Sequence, residues 1–331
     1  MSLNTLASVH IRYKWIALVQ FVILLVLLGV WINHEIVERS MEKQRAEGLL
    51  SPRIYTGLLE PESRLIVNFQ PLKQDLQGYL TKHNLTAGIY VENLRNGASM
   101  GINEKMGFYP ASLAKLPLAV AIMKKVERGE LTLDTPVQLQ NRDDYDAFGR
   151  HSTLPATLSV DELLTKLLTD SNNLAAQELF LLLEPDDFQL LIDYYGIDIN
   201  LQSEGSTYRM TPKSISILFI SLYFSTVLET ESSEHLLHLM ENTVLDIRPF
   251  AQIPDDVRVV HKFGVNDEGG SLQDFHDCGI MYIEDSRFFY CVMTQDTQNQ
   301  NQEQLLAHTT NIMGQIYQYI VKTRVDLKKL E

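Results

Sequence analysis

Tyr109-Pro110-Ala111-Ser112-Leu113-Ala114-Lys115-Leu116-Pro117 sets a serine and a lysine three residues apart at the head of an apolar run. On a helix, positions i and i+3 share a face, so the two side chains can meet. A serine hydroxyl is a poor nucleophile until a neighbouring base takes its proton. A lysine amine serves as that base only when burial or another cation lowers its pKa. The residues after Lys115 are mostly Leu, Ala, Val, Ile and Met, which supply the apolar surroundings. A lone Ser-x-x-Lys also arises by chance in many helices, so the rest of the chain must supply the other parts of a site.

An acyl-transfer site needs a proton relay, a cation for substrate charge and an oxyanion hole. Asp170-Ser171-Asn172-Asn173 and His261-Lys262-Phe263-Gly264 follow in that order. Ser112 opens a helical pattern, Ser171 to Asn173 falls between two more, and Lys262 lies near the end of a β-branched run, residues 257–263. These look like the set S-x-x-K, S-D-N and K-T-G. On those motifs the chain resembles the serine β-lactamase and penicillin-binding superfamily, most nearly the class A β-lactamase catalytic domain, over roughly residues 70 to 322.

The resemblance implies roles. Ser112 would be the acylated nucleophile and Lys115 the base that activates it. Ser171 would pass a proton to the leaving nitrogen, and Asn173 would bind the substrate amide and help place Lys115. Lys262 would bind the substrate carboxylate and, as a like charge, help lower the pKa of Lys115. The backbone N–H groups of Ser112 and Val265 would form the oxyanion hole, with Gly264 permitting close approach. Tyr145 and Phe148, in an Asp-rich loop ahead of the second motif, stand where the family often has an aromatic wall; loop packing explains them equally well. No cofactor or metal is implied.

Two motif positions depart from the pattern. Asn172 stands where the family has Asp, which removes a charge at constant size. Phe263 stands where it has Thr or Ser, which removes a hydrogen bond to the substrate carboxylate. Between the second and third motifs, residues 196–206 hold Asp198 and Glu204 but no Glu-x-x-Leu-Asn pattern, so the loop that carries the family's deacylating Glu is altered. Met210-Thr211-Pro212-Lys213 looks like the helix start that follows that loop. A β-lactam acyl-enzyme should then be long-lived.

The coarse element pattern agrees. Residues 72–82 read as a helix, and 86–94 and 98–102 as strands joined through Asn96-Gly97, a strong hairpin signal. Helical runs follow at 112–128, 160–168, 173–183, 188–195, 212–228 and 233–243. Three strands and a helix at 302–321 close the chain. Strands at both ends with helices between imply an α+β domain: one antiparallel sheet completed by the two ends, with a mostly helical insertion. The resemblance makes that sheet five-stranded and flanked by helices.

Composition and flanks bound the setting. The 331 residues suffice for one large domain plus an appendage, and a net charge of −14 argues against nucleic acid as partner. Residues 15–33 are almost wholly apolar, close to the roughly 20 needed to cross a bilayer. Arg12 and Lys14 precede them, so the N-terminus (1–14) is expected in the cytoplasm and the remainder outside. A cleaved signal peptide is the rival reading, but Trp31-Ile32-Asn33-His34 lacks small residues for cleavage. Residues 34–70 read as a juxtamembrane helix and linker, and 71–331 as the catalytic domain. Cys278 and Cys291 fall on consecutive strands. An extracytoplasmic site permits a bridge, yet two arbitrary strand positions seldom align, so the expectation is two free, buried thiols. Glu234-His235-Leu236-Leu237-His238 reads as a solvated helix face rather than a metal site, and His261 and His276 as ordinary strand histidines, with His261 a candidate to line the cleft.

The expectation is therefore a membrane-anchored, single-pass, extracytoplasmic serine acyl hydrolase of DD-peptidase or penicillin-binding type. Its partners would be a peptidoglycan stem peptide or a β-lactam, with the bilayer held through residues 15–33. The alternatives are a true β-lactamase with an unusual loop, or a non-catalytic cell-wall-binding module.

Overall fold

The computed structural model describes residues 20, 24, 27–36, 39, 68–145, 151–184, 186–187, 195, 198–200, 207–266, 273–284, 286–295 and 301–328. The chain divides into two compact units, Met1–Gly57 and Leu58–Glu331. In the first, residues 27–36 are helical, and Leu27, Leu28, Val30, Trp31, Ile32 and Ile36 stand exposed. Among the described residues no helix is long and apolar enough to cross a membrane. Most of the expected anchor at 15–33 and linker at 34–70 lies outside them.

The second unit opens with α1 (Gln70–His83), whose Leu72, Leu76 and Leu80 recur every four residues and are buried. Asn84, in the left-handed region at φ 46°, ends it. Strands β1 (Thr86–Asn93) and β2 (Ser99–Ile102) form the expected hairpin, with Gly97 at φ 77° in the turn. A 3-10 turn (Ala111–Ala114) leads into α2 (Lys115–Glu127). The run from Lys115 to Met123 is buried residue by residue, as a helix apolar all round must be.

The helical insertion follows. It comprises α3 (Val160–Thr169), α4 (Asn173–Phe180), α5 (Pro212–Tyr223), α6 (Thr230–Glu241) and the short α7 (Arg248–Ala251). Ser159 with Glu162 and Thr211 with Ser214 form reciprocal caps at the starts of α3 and α5. Three two-stranded ribbons, which the sequence pattern did not separate from loop, run between these helices: β3 (Pro136–Gln138) with β6 (Thr157–Ser159), β4 (Asp143–Tyr145) with β5 (His151–Thr153), and β7 (Asp198–Asn200) with β8 (Thr207–Arg209). Each strand is three residues long, too short to show a period. The expected helix at 188–195 lies outside the described residues except for Tyr195.

The chain then returns as β9 (Arg258–Asn266), β10 (Asp274–Ile283), β11 (Ser286–Gln295) and α8 (Gln302–Lys328). The sheet runs β2-β1-β11-β10-β9, antiparallel throughout, so first and last strands meet at its centre: Thr86 pairs with Gln295. The expected five-stranded α+β architecture is what forms. One face packs on α1 and α8 through Leu76, Ile89, Tyr290, Val292, Ile312 and Ile316. Each such side chain contributes about 1.5–3 kcal/mol when fully buried. The other face meets the insertion, where Phe289 packs on Phe219 of α5 with ring centroids 5.7 Å apart. β9 is the edge strand beside the insertion.

The expectation of free thiols is corrected. Cys278 and Cys291 are directly opposed in the β10–β11 ladder and their sulfurs are bonded. The turn decides it: Ile283 pairs with Ser286 across a connection in which Glu284 adopts φ 47°, and counting back from there aligns the two cysteines.

Candidate active site

Three segments distant in sequence converge where the edge strand β9 meets the insertion. Ser112 stands on the 3-10 turn ahead of α2, and Ala111 before it is held at φ 47°. Ser171, between α3 and α4, is held at φ 57°. Non-glycine residues in the left-handed region cost about 1 kcal/mol or more, and such strain gathers where geometry is imposed for function. Gly264 on β9 backs onto the Ser112 turn. A Cβ there would lie 2.9 Å from the Pro110 carbonyl oxygen and 3.4 Å from Ala111 Cβ, so only glycine lets strand and turn approach this closely.

Lys115 is buried and its Nζ is surrounded by oxygen. Ser112 Oγ lies at 3.1 Å, Asn173 Oδ1 at 2.7 Å and Ser171 Oγ at 3.4 Å, and the Ser171 carbonyl also accepts from it. Lys262 Nζ reaches the same Ser171 hydroxyl from β9 at 2.8 Å and donates to the Phe263 carbonyl at 3.1 Å. Ser171 Oγ therefore bridges two amines, the geometry of a relay. Burial, and then the neighbouring Lys115, hold the Lys262 ammonium well below the usual lysine range, with Asp277 opposing.

Asn172 is buried at the head of α4, where its side chain accepts from the Ala175 N–H at 2.7 Å. The family's Asp is thus replaced by a residue that keeps the capping acceptor and drops the charge. Asn173, the first residue of α4, is thereby aimed at Lys115. The structure thus brings together Ser112, Lys115, Ser171, Asn173, Lys262 and Gly264. Val265 follows Gly264 on β9 and is partly exposed, as is Ser112. Tyr145 lies on β4, but its side chain, Phe148 and the side chains of Asp198 and Glu204 are outside the described residues.

Phe263, an edge-strand position expected only to lack a hydroxyl, is fully buried with its ring centroid 4.3 Å from Lys262 Nζ. The two histidines separate. His261, a candidate to line the cleft, is instead buried with Nδ1 2.8 Å from Asp277 Oδ2, while Tyr290 donates to Asp277 Oδ1 at 2.6 Å. Tyr290 belongs to the core under α1 and α8, so this cluster lies behind the site strand. His276, opposite Gly264 in the ladder, meets the Tyr109 carbonyl through Nε2 at 2.8 Å and so braces the segment that leads into the Ser112 turn. Adjacent polar residues in a mostly apolar strand, His276-Asp277, are the signal for both. His235 of α6 faces Asp161 of α3 at 2.8 Å, and among the described residues no group of three or more His, Cys, Asp or Glu could hold a metal ion.

A serine with a buried lysine beside it, a second serine shared with a second lysine, and a glycine-backed edge strand define a serine hydrolase of β-lactamase-like architecture. The chain belongs to the beta-lactamase enzyme family, whose model matches residues 71–320. It is 20% identical over 235 residues to beta-lactamase VEB-1 of Pseudomonas aeruginosa, which covers 65% of this chain and 79% of that protein. It is 27% identical over 158 residues to the beta-lactamase regulatory protein BlaB of Streptomyces cacaoi, 44% of this chain and 48% of that one. Among solved structures, PBP-A superimposes with a TM-score of 0.65 at 22% identity over 80% of this chain and all (100%) of that one. The TLA-1 extended spectrum beta-lactamase does so at 0.66 and 20% over 77% and 100%. At these identities the structural likeness speaks for the fold.

Proposed function

We propose that this protein is a serine acyl hydrolase of the penicillin-binding, DD-peptidase-like type, working through an acyl-enzyme on Ser112. One observation carries the reading: Lys115 Nζ lies 3.1 Å from Ser112 Oγ while sharing Ser171 Oγ with a second buried lysine. Ser112 Oγ attacks the acyl carbon as its proton passes to Lys115. Ser171 then delivers a proton to the leaving group. The N–H groups of Ser112 and Val265 receive the developing oxyanion.

The substrate would be a peptidoglycan stem peptide or related acyl donor, with β-lactams as mimics. A solved neighbour is a point mutant of PBP-A as its penicillin G acyl-enzyme, which supports β-lactams as probes here. The domain would be held outside the cytoplasmic membrane by residues 15–33, an assignment supported by the exposed apolar side chains of the helical residues 27–36.

Labelling with a fluorescent penicillin, followed by intact mass over time, tests the reading. The wild type should carry a persistent adduct on Ser112, and Ser112→Ala should carry none. No labelling at any concentration would overturn the assignment. Rapid multiple turnover of a chromogenic cephalosporin would turn it into a β-lactamase.

A further inference from the structure

Lys262 is 0% exposed and so is Phe263, although both stand at the site end of an edge strand. In the ladder Phe263 pairs with Asp277 and alternates with Lys262, on the strand face of Val259 and Val265. Lys262 Nζ nonetheless lies 4.3 Å from the Phe263 ring centroid and donates to the Phe263 carbonyl. The amine is thus satisfied from within the chain: Ser171 Oγ takes one direction, the Phe263 carbonyl a second, and the face of the Phe263 ring a third. A substrate carboxylate would have to displace one of these contacts to reach it. Among the described residues of β10, His276, opposite Gly264, is buried with its pKa pulled down to about 4 by desolvation, and Asp274, opposite Asn266, is itself a carboxyl group; the cation that acts on Asp274, Arg209 of β8, is exposed and donates to the Gly107 carbonyl at 3.1 Å.

We propose that Phe263 sets the specificity of this site, and that it selects acyl donors whose leaving group carries no free carboxylate: neutral esters, thioesters or interior amides. The proposal rests on the acyl-enzyme reading of Ser112 and narrows its donor: a C-terminal stem-peptide amide and penicillin, whose departing amine carries a carboxylate, become poor donors that acylate Ser112 only at high concentration. Lys262 then serves Ser171 rather than the substrate, acting as the inner end of the proton relay. A carboxylate brought against the Phe263 ring would shed its hydration with no ion or hydrogen bond in return, which is the unfavourable case for a charge entering an apolar environment. With a thioester donor, Ser112 Oγ bonds to the acyl carbon, the Ser112 proton passes to Lys115 and the C–S bond breaks. The thiolate departs, protonated by way of Ser171, and water later cleaves the ester to restore Ser112.

The test uses the full chain and two N-benzoyl-D-alanyl thioesters, one releasing mercaptoacetate and the other its methyl ester, with the freed thiol read by a chromogenic disulfide. With each kcat/KM divided by the donor's uncatalysed hydrolysis rate, to remove the difference in thiol basicity, the wild type should favour the methyl ester over the acid about tenfold or more, because the acid enters without a partner. Phe263→Thr should bring the ratio down by about tenfold and speed penicillin labelling of Ser112, since it exposes the amine and adds a hydroxyl. Phe263→Leu keeps an apolar cover and should keep the preference. The wild-type ratio decides the matter even where a variant fails to fold. A wild type that takes the acid as fast or faster overturns the proposal and leaves the acyl-enzyme standing, as does an unchanged ratio in a folded Phe263→Thr. Release from neither probe, with Ser112 unlabelled by penicillin, overturns both.

Discussion

Two titratable groups on β10, Asp274 and His276, should oppose each other in the pH dependence of stability, and substituting either should expose the other. Burial pushes the Asp274 carboxyl up to about 6 from an ordinary value of 3.8, against hydrogen bonds from Asn266 and Gln295. The folded protein therefore holds that proton more tightly than the unfolded chain. Its contribution is fully present below the ordinary carboxylate value and is lost as pH rises through about 6. At about 1.4 kcal/mol per unit the loss is about 3 kcal/mol. His276 runs the other way. Burial takes it down to about 4 from 6.5, against bonds to the Tyr109 and Phe275 backbone. The unfolded chain protonates first as pH falls, so its contribution is present above 6.5 and lost towards 4, again by about 3 kcal/mol. In the wild type the two slopes largely cancel between pH 4 and 6.5. Urea unfolding at intervals of one pH unit, taken as variant minus wild type, removes the background that the other ionisable groups share. Asp274→Asn should gain about 3 kcal/mol relative to wild type on going from pH 4 to 6.5, and His276→Gln should lose about as much. Difference curves that are flat, or that slope in the same direction, would refute the reasoning.

Two further outcomes follow from the site's packing. Gly264→Ala places a Cβ 2.9 Å from the Pro110 carbonyl oxygen, so β9 and the nucleophile turn must part. Overpacking of this kind costs about 1–3 kcal/mol and should lower Tm by a few degrees, while a displacement near 1 Å should slow penicillin acylation about a hundredfold; acylation at the wild-type rate would contradict it. Asn172→Ala removes the acceptor for the Ala175 N–H and should cost about 1 kcal/mol in urea unfolding, with acylation slowed as Asn173 loses its aim at Lys115.

Much of this was legible in the sequence because local chemistry and tertiary role coincide. Leu72, Leu76 and Leu80 recur at helical spacing, Asn96-Gly97 suits only a tight turn, and Thr211-Pro212 starts a helix by capping and fixed φ. Ser112, Ser171 and Lys262 could be proposed together because each sits at the end of a recognisable element. What stayed hidden depends on distances the chain sets only when folded. β10 is buried at every position, so alternation could not tell which face His276 and Asp277 take. The cysteine bond turns on the count through a single turn, where one residue more or less would send the side chains to opposite faces. Phe263 announced a missing hydroxyl; that its ring would fold over the preceding lysine is a rotamer set by the edge of the sheet, beyond any period in the sequence.

The pairing of Thr86 with Gln295 has a consequence for biogenesis. Ribosomes add roughly 5–20 residues per second, so the hairpin of β1 and β2 waits on the order of ten seconds or more for the strand that completes it. The lysine of β9 emerges late as well, long after the helix bearing the nucleophile. On the acyl-enzyme reading, Ser112 would therefore lack its second lysine through most of translation, and the site would be complete only when the final third of the chain has condensed onto its beginning.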